Sequence, residues 1–426
     1  MDSFNYKKGK LFAESVDVAE IAHQVGTPVY IYSKATFLDH FKKTQAAYAD
    51  IDTMICYSIK ACGNIHILKE LAAAGSSFDI VSGGELYRAQ QAGADMSKIV
   101  FAGVGKTDAD IIAGLDAGIG YFNIESEAEL ANLIKLCKKN HKTTRAALRI
   151  NPDIKYDSHK YITTGIKETK FGIDIEKTLK IYDKYGRNGV VQMTTIHVHL
   201  GSGGKTIDPY LTYIRKILPV IKKLRDKGYT IDTLNLGGGY GADYETSTVP
   251  RAADYAVGIV PLLRAANLKL ILEPGKSIIA NAAIMLTRTL FKKSGGKKTF
   301  VIVDAGMNDL IRPCLYEGFH FIWPTKVKAN MVPEKRSIDP AMKNCEKVDV
   351  VGPICESTDY FAKNRAMPVV ERGDLLSVFS TGAYGFTMAN NYNARPLCAE
   401  VLVDGDQFSI IRRRQTYEDL IRQEIF

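Results

Sequence analysis

The chain has 426 residues, 46% hydrophobic and 24% charged, enough for a barrel-sized core and a second, smaller one. Its formal charge of +9 is spread along the chain with no arginine-rich arm, which argues against nucleic acid and is met in part by anionic small molecules. Seven cysteines, an odd number without a CxxC pair, argue against a disulfide framework, and no run of about 18 uncharged apolar residues offers a membrane span, so the chain is expected in a reducing cytoplasm.

Residues 1–28 precede the first repeating unit and are expected to pack with a β domain at the other end of the chain. From Thr53 onward, short β-rich apolar runs alternate with amphipathic helical stretches. The runs are Thr53–Ile59, Phe78–Val81, Ile99–Ala102, Tyr121–Ile124, Ala146–Ile150, Thr195–Leu200, Thr233–Leu236 and Leu268–Leu272. Helical patterns fall at Ile65–Ala74, Gly84–Gln91, Ala128–Lys139, Tyr210–Lys227 and Tyr255–Ala265. This rhythm over roughly 250 residues predicts a (β/α)8 barrel spanning 29–283, with a doubly wound sheet as the alternative. Beyond it the period changes. Ile284–Phe291 and Thr299–Asp304 flank the turn Ser294-Gly295-Gly296-Lys297, and further strands follow at Val348–Val351, Leu375–Phe379, Ala399–Val403 and Phe408–Ile411. A C-terminal β domain over 284–426, a sandwich or Greek-key barrel, is predicted.

The polar residues cluster at the ends of the apolar runs, where a barrel's C-terminal mouth collects its site. Lys60 follows Met54-Ile55-Cys56-Tyr57-Ser58-Ile59. Apolar walls there can desolvate the amine so that it attacks a carbonyl, although a lone lysine at a strand end ordinarily snorkels into water. His197 and His199 stand two apart and share one strand face, which suits a metal pair, a ring stacked on a flat cofactor, or two hydrogen-bonded core histidines. Gly237, Gly238 and Gly239 follow a strand directly and let backbone N–H groups approach a phosphate, or form a plain tight turn. Glu273-Pro274-Gly275-Lys276 closes the eighth run. A carboxylate there suits the protonated ring nitrogen of pyridoxal 5′-phosphate (PLP), and a salt-bridged loop is its other use.

Taken in order, these segments resemble the diaminopimelate decarboxylases, PLP-dependent enzymes with an alanine-racemase-like barrel and a β domain. The resemblance covers nearly the whole chain. It runs through Tyr57-Ser58-Ile59-Lys60-Ala61, Phe78-Asp79-Ile80-Val81-Ser82-Gly83-Gly84-Glu85-Leu86 and Asn151-Pro152-Asp153. It continues through His159-Lys160-Tyr161-Ile162, Thr164-Gly165, Lys170-Phe171-Gly172-Ile173, the HxHxGS and GGG segments, and Arg312-Pro313-Cys314-Leu315-Tyr316. It ends on Cys355-Glu356-Ser357-Thr358-Asp359, Gly382-Ala383-Tyr384 and Tyr392-Asn393-Ala394-Arg395-Pro396.

The resemblance implies that Lys60 carries PLP as a Schiff base, with His199 against its ring and Glu273 on its nitrogen. Gly237, Gly238, Gly239, Gly275 and Lys276 would hold the phosphate, with Tyr384 near the cofactor. Cys355, donated across a homodimer interface, would reprotonate the substrate carbon, and Arg312, Tyr316, Glu356, Tyr384 and Lys276 would read the substrate. The implied reaction takes meso-2,6-diaminopimelate to L-lysine and CO2, the last step of lysine biosynthesis, with no metal, nucleic acid or membrane. Two departures stand out. Lys276 replaces the family's usual arginine, keeping charge but losing the bidentate fork, and Gly203-Gly204 stands where a glutamine commonly begins. Lys276 keeps open a related decarboxylase acting on ornithine, arginine or carboxynorspermidine.

Overall fold

A computed structural model describes residues 2–154, 170–201, 204, 206–245 and 249–425. The motif residues His159 to Gly165, with Ser202 and Gly203, lie outside the described residues. The chain forms two compact units, one of His40–Gly241 with Val249–Ser277, the other of Met1–Asp39, Ala242–Thr248 and Ile278–Phe426.

The first unit is a closed barrel of eight parallel strands: β1 Thr53–Ser58, β2 Ser77–Ile80, β3 Val100–Phe101, β4 Tyr121–Ile124, β5 Thr144–Asn151, β6 Val191–His197, β7 Thr233–Asn235 and β8 Lys269–Leu272. Each strand pairs with the next, and β8 returns to β1 through Leu270↔Thr53 and Leu272↔Ile55. Closure rules out the doubly wound alternative, which has two free edges. Its helices start where polar side chains satisfy the first N–H groups: Ser82 accepts from Glu85 N, Ser126 from Glu129 N, and Thr107 forms a reciprocal capping box with Asp110. That last cap opens Asp108–Ala117, a helix the periodicity did not reveal. Its buried face includes Gly114, where a Cβ would meet the Phe122 ring at 2.9 Å, so the apolar signal on that face is blunted by a residue without a side chain.

In the second unit the 13-residue strand Ala283–Gly295 is the spine. It pairs antiparallel with Leu375–Phe379, with Val29–Ser33 and, across the predicted turn, with Lys298–Val303. Val29–Ser33 also runs parallel to Ala399–Asp404, so this fully buried early strand belongs to the β sheet and not to the barrel's eight. Cys345–Val351 extends the sheet and pairs with Tyr360–Pro368, a strand whose central Lys363-Asn364-Arg365 interrupts the apolar pattern and hid it from the sequence. The N-terminal hairpin Phe4–Lys7 and Lys10–Ala13 is fastened to the same unit, Leu11 N donating to Thr325 O and Tyr6 Oη to Pro324 O. Among the described residues no helix is long and apolar enough to cross a membrane.

Candidate active site

At the C-terminal end of β1 the chain tightens into a single turn, Ile59–Ala61, that carries Lys60. Its Nζ donates to Asp79 Oδ2 at 2.6 Å, and the same oxygen accepts from Ser58 Oγ at 2.8 Å. Asp79 is wholly buried on β2, in register with Ser58. Burial pushes its carboxyl upward, and the Lys60 ammonium opposes the shift. Lys60 therefore sits beside a buried acid, with its own side chain partly open, which is not the free snorkelling lysine.

Glu273 follows β8 and is 5% exposed. Its Oε1 accepts from Asn123 Nδ2 at 2.8 Å and from Asn235 Nδ2 at 2.7 Å, and His197 Nε2 lies 3.5 Å from Oε2. Burial alone would raise this carboxyl, but His197, Lys60 and Asn235 together hold it well below the usual carboxylate range. Three strands of the barrel, β4, β6 and β7, thus converge on keeping one carboxylate ionised. His199, two residues on, is held neutral by burial first and then by the cations of Arg149 and Lys60. Its Nδ1 accepts from Gly238 N at 3.2 Å. The two histidines therefore divide, His197 toward Glu273 and His199 toward the glycine loop, and among the described residues no group of three or more His, Cys, Asp or Glu could hold a metal.

The glycine loop is built on close backbone approach. Gly237 and Gly239 adopt φ of +64° and +101°, and an added Cβ at Gly237, Gly238 or Gly239 would stand 2.5, 2.2 and 2.3 Å from the carbonyl oxygens of Val198, Glu273 and Gly201. Two of its N–H groups are already engaged, Gly237 with Asn235 Oδ1 at 2.8 Å and Gly238 with His199. Tyr210 Oη donates to Gly238 O at 2.6 Å and fixes the loop from behind. Gly275 admits the turn after β8, since a Cβ there would press on Ala61 and Ser58 at 3.0 and 3.1 Å. Lys276 follows as the first residue of the short helix Lys276–Ile279. Arg149 Nη1 pairs with Glu125 Oε1 at 2.5 Å and Lys106 Nζ with Glu129 Oε1 at 2.7 Å, both pairs largely buried.

The remaining sequence candidates lie in the β unit. Arg312 and Tyr316 open and close the helix Arg312–Tyr316. Arg312 is buried, donating through Nη1 to His320 Nε2 at 2.8 Å. Cys355 and Glu356 lie on an exposed loop, the Cys355 N–H donating to Asn393 Oδ1 at 2.9 Å. Asp359 supports that loop: its buried carboxylate accepts from Ile354 N and Met307 N, both at 2.7 Å, tying it to the segment that leads into the Arg312 helix. Tyr384 is half-buried with φ of +54°. Sequence reasoning passed over Asp79, Asn123 and Asn235, whose signal was a polar residue inside an apolar strand run. It also passed over His320, which has no local signal because its partners are distant in the chain.

The chain's likeness to known proteins fits this geometry. The pyridoxal-binding domain of the pyridoxal-dependent decarboxylases matches residues 34–280. A diaminopimelate decarboxylase of Neisseria meningitidis serogroup A is 42% identical over 415 residues, 97% of this chain and 99% of its own. Among solved structures, the diaminopimelate decarboxylase of M. jannaschii in co-complex with L-lysine superposes with a TM-score of 0.92 at 35% identity, covering all of this chain and 98% of its own. That of Helicobacter pylori complexed with L-lysine gives 0.89 at 35% identity, over 96% and 99%.

Proposed function

Because the chain belongs to the pyridoxal-dependent decarboxylases, and within them to the diaminopimelate decarboxylases, we propose that it converts meso-2,6-diaminopimelate to L-lysine and CO2, closing lysine biosynthesis. One observation carries the substrate choice. Arg312 is buried and, among the described residues, its hydrogen bond goes to a neutral imidazole and no carboxylate lies within ion-pair distance. A buried cation left in that state favours a substrate whose far end brings a carboxylate. Ornithine and arginine bring a cation instead.

The barrel residues fit PLP. A lysine beside a buried acid, a carboxylate held ionised from three strands and a loop too tight for any side chain together make a cradle of suitable chemistry. PLP supplies, when bound, an electron sink for the pair left on the α-carbon as CO2 departs. Lys60 would be the amine that holds it, with Asp79 accepting from Nζ. Glu273 would accept from the ring N–H, and neutral His199 would lie against the ring. Gly237, Gly238, Gly239, Gly275 and Lys276 would frame the phosphate; with Gly237 and Gly238 N–H engaged inside the protein, Lys276 would take a larger share of the phosphate charge. In this reading the working unit is a homodimer. The exposed Cys355 and Glu356 serve the neighbouring protomer's site, where the Cys355 thiol delivers a proton to the α-carbon, while Arg312, Tyr316 and Tyr384 orient the substrate.

CO2 release measured in parallel on meso-diaminopimelate, ornithine and arginine tests the substrate. A preference for either of the last two would overturn it. Borohydride should trap the cofactor on Lys60, and a label on any other lysine would remove its role. Mixing Lys60→Ala with Cys355→Ala protein should restore about a quarter of wild-type activity through dimers with one intact site. No recovery would argue against a shared site.

A further inference from the structure

Within the β unit, Tyr244, Arg312, His320 and Arg365 form a cluster that no single motif joins. The Arg312 guanidinium lies 4.7 Å from the Tyr244 ring centroid, and Tyr244 meets the His320 ring edge-on at 5.5 Å. Arg365 donates through Nη1 to His320 O at 2.8 Å and lies over the Phe319 ring at 4.4 Å. Arg312, His320 and Arg365 are all buried. Elsewhere in the unit Arg336 pairs with Asp2 and Arg412 with Glu400, while Arg288, Arg395 and Arg414 donate to backbone carbonyls. Among the described residues neither Arg312 nor Arg365 is paired with a carboxylate at salt-bridge distance; Glu245 acts on Arg365 from farther off, favouring its charge, and Arg365 Nε has no hydrogen-bond partner.

The hydrogen bonds around His320 fix its tautomer. Nδ1 lies 2.8 Å from Phe379 O, a carbonyl that only accepts, so the ring hydrogen sits on Nδ1. In the neutral ring Nε2 is then an acceptor, and Arg312 Nη1 donates to it at 2.8 Å. Burial, then the flanking Arg312 and Arg365, keep the ring neutral, its pKa pushed down to about 3.

We propose that His320 is a positioning residue that aims the Arg312 guanidinium at the substrate's distal carboxylate without spending its charge. An aspartate or glutamate at this place would orient Arg312 equally well, but it would also neutralise the cation and compete with the ligand. A neutral acceptor holds one N–H and leaves the charge, reinforced by Arg365, for the incoming anion. The inference rests on Arg312 being the distal-carboxylate group of the proposed reaction.

The test uses holoenzyme and two inhibitors: L-lysine, which keeps the retained carboxylate, and cadaverine, which lacks it. His320→Phe should raise KM for diaminopimelate and Ki for L-lysine by about 10- to 100-fold, the loss expected for a hydrogen bond to a charged group. The cadaverine Ki should hold, and His320→Gln, which restores an acceptor near the Nε2 position, should recover most of the loss. Should His320→Phe fail to load PLP, as its absorption band reports, His320→Asn takes its place, keeping the donor to Phe379 while removing the acceptor. Equal shifts in both Ki values would mean a general structural role and overturn the proposal. So would an unchanged lysine-to-cadaverine ratio when Arg312→Met collapses it. If Arg312→Met itself leaves the ratio unchanged, the distal-carboxylate role of Arg312 is wrong, and the substrate reading fails separately from that of His320.

Discussion

The barrel mouth and the Arg312 cluster bury their charges under opposite rules. Among the described residues of the barrel Lys60 has Asp79, Arg149 has Glu125, Lys106 has Glu129, and His197 stands by Glu273. In the cluster Arg312 and Arg365 meet a neutral imidazole, a carbonyl and aromatic rings. A self-neutralised network fixes protonation states and suits a resident cofactor, whose ring must be held in one charge form. A cluster left cationic suits a ligand that comes and goes and brings the missing charge with it. Burial is costly in both places, and on the proposed reading who supplies the counter-charge tells cofactor site from substrate site.

The largest effect should come from breaking the barrel's side of that contrast. Glu273→Gln keeps the shape and the Asn123 and Asn235 contacts but removes the charge, and kcat should fall by about 10²- to 10³-fold, with the PLP absorption band shifted toward the unprotonated ring. A full-rate variant would mean the ionised carboxylate is not used. Cys355→Ser should come next, slowing turnover by about 10²-fold while leaving that band in place, since the residue is proposed to act on the substrate carbon only. Third, Asp359→Asn removes the charge from a carboxylate accepting two backbone N–H groups, and should cost about 1–3 kcal/mol of unfolding free energy. Because Asp359 braces the Cys355 loop, its turnover should fall further than its stability alone explains. Wild-type stability would show that the loop is braced elsewhere.

The two regions also differ in how far the sequence announces them. The barrel was legible because its period repeats and its polar residues recur at one structural address, the strand ends; Lys60, His199, Gly237 and Glu273 could be picked out on that basis alone. Asp79, Asn123 and Asn235 were visible as polar breaks in apolar runs, yet nothing local says they face inward onto Glu273. In the β unit strands pair across hundreds of positions, as Val29–Ser33 does with Ala399–Asp404. Arg312 was legible only through its motif. His320 draws its meaning from Phe379 and Arg365, 59 and 45 residues on, and side-chain contacts of that kind leave no spacing to read.

The smallest predicted effect isolates the cluster through pH. The His320 pKa is about 3 in the folded protein against an ordinary value near 6.5, so between these the unfolded chain binds a proton that the native chain does not. Acid therefore favours the unfolded state: the contribution is nil above about pH 6.5 and becomes increasingly destabilising as pH falls toward 3. Other groups titrate in the same window with the opposite sign, notably Asp309, which burial raises to about 6. The total curve is thus uninformative, and the difference between wild type and His320→Phe is what isolates the histidine. From pH 7 to 5.5 that difference should move by about 1 kcal/mol in favour of the phenylalanine variant, read from urea midpoints at the two pH values. A difference that stays constant would mean the ring accepts a proton in the folded state. It would then donate at both nitrogens, repel Arg312, and be unable to orient it.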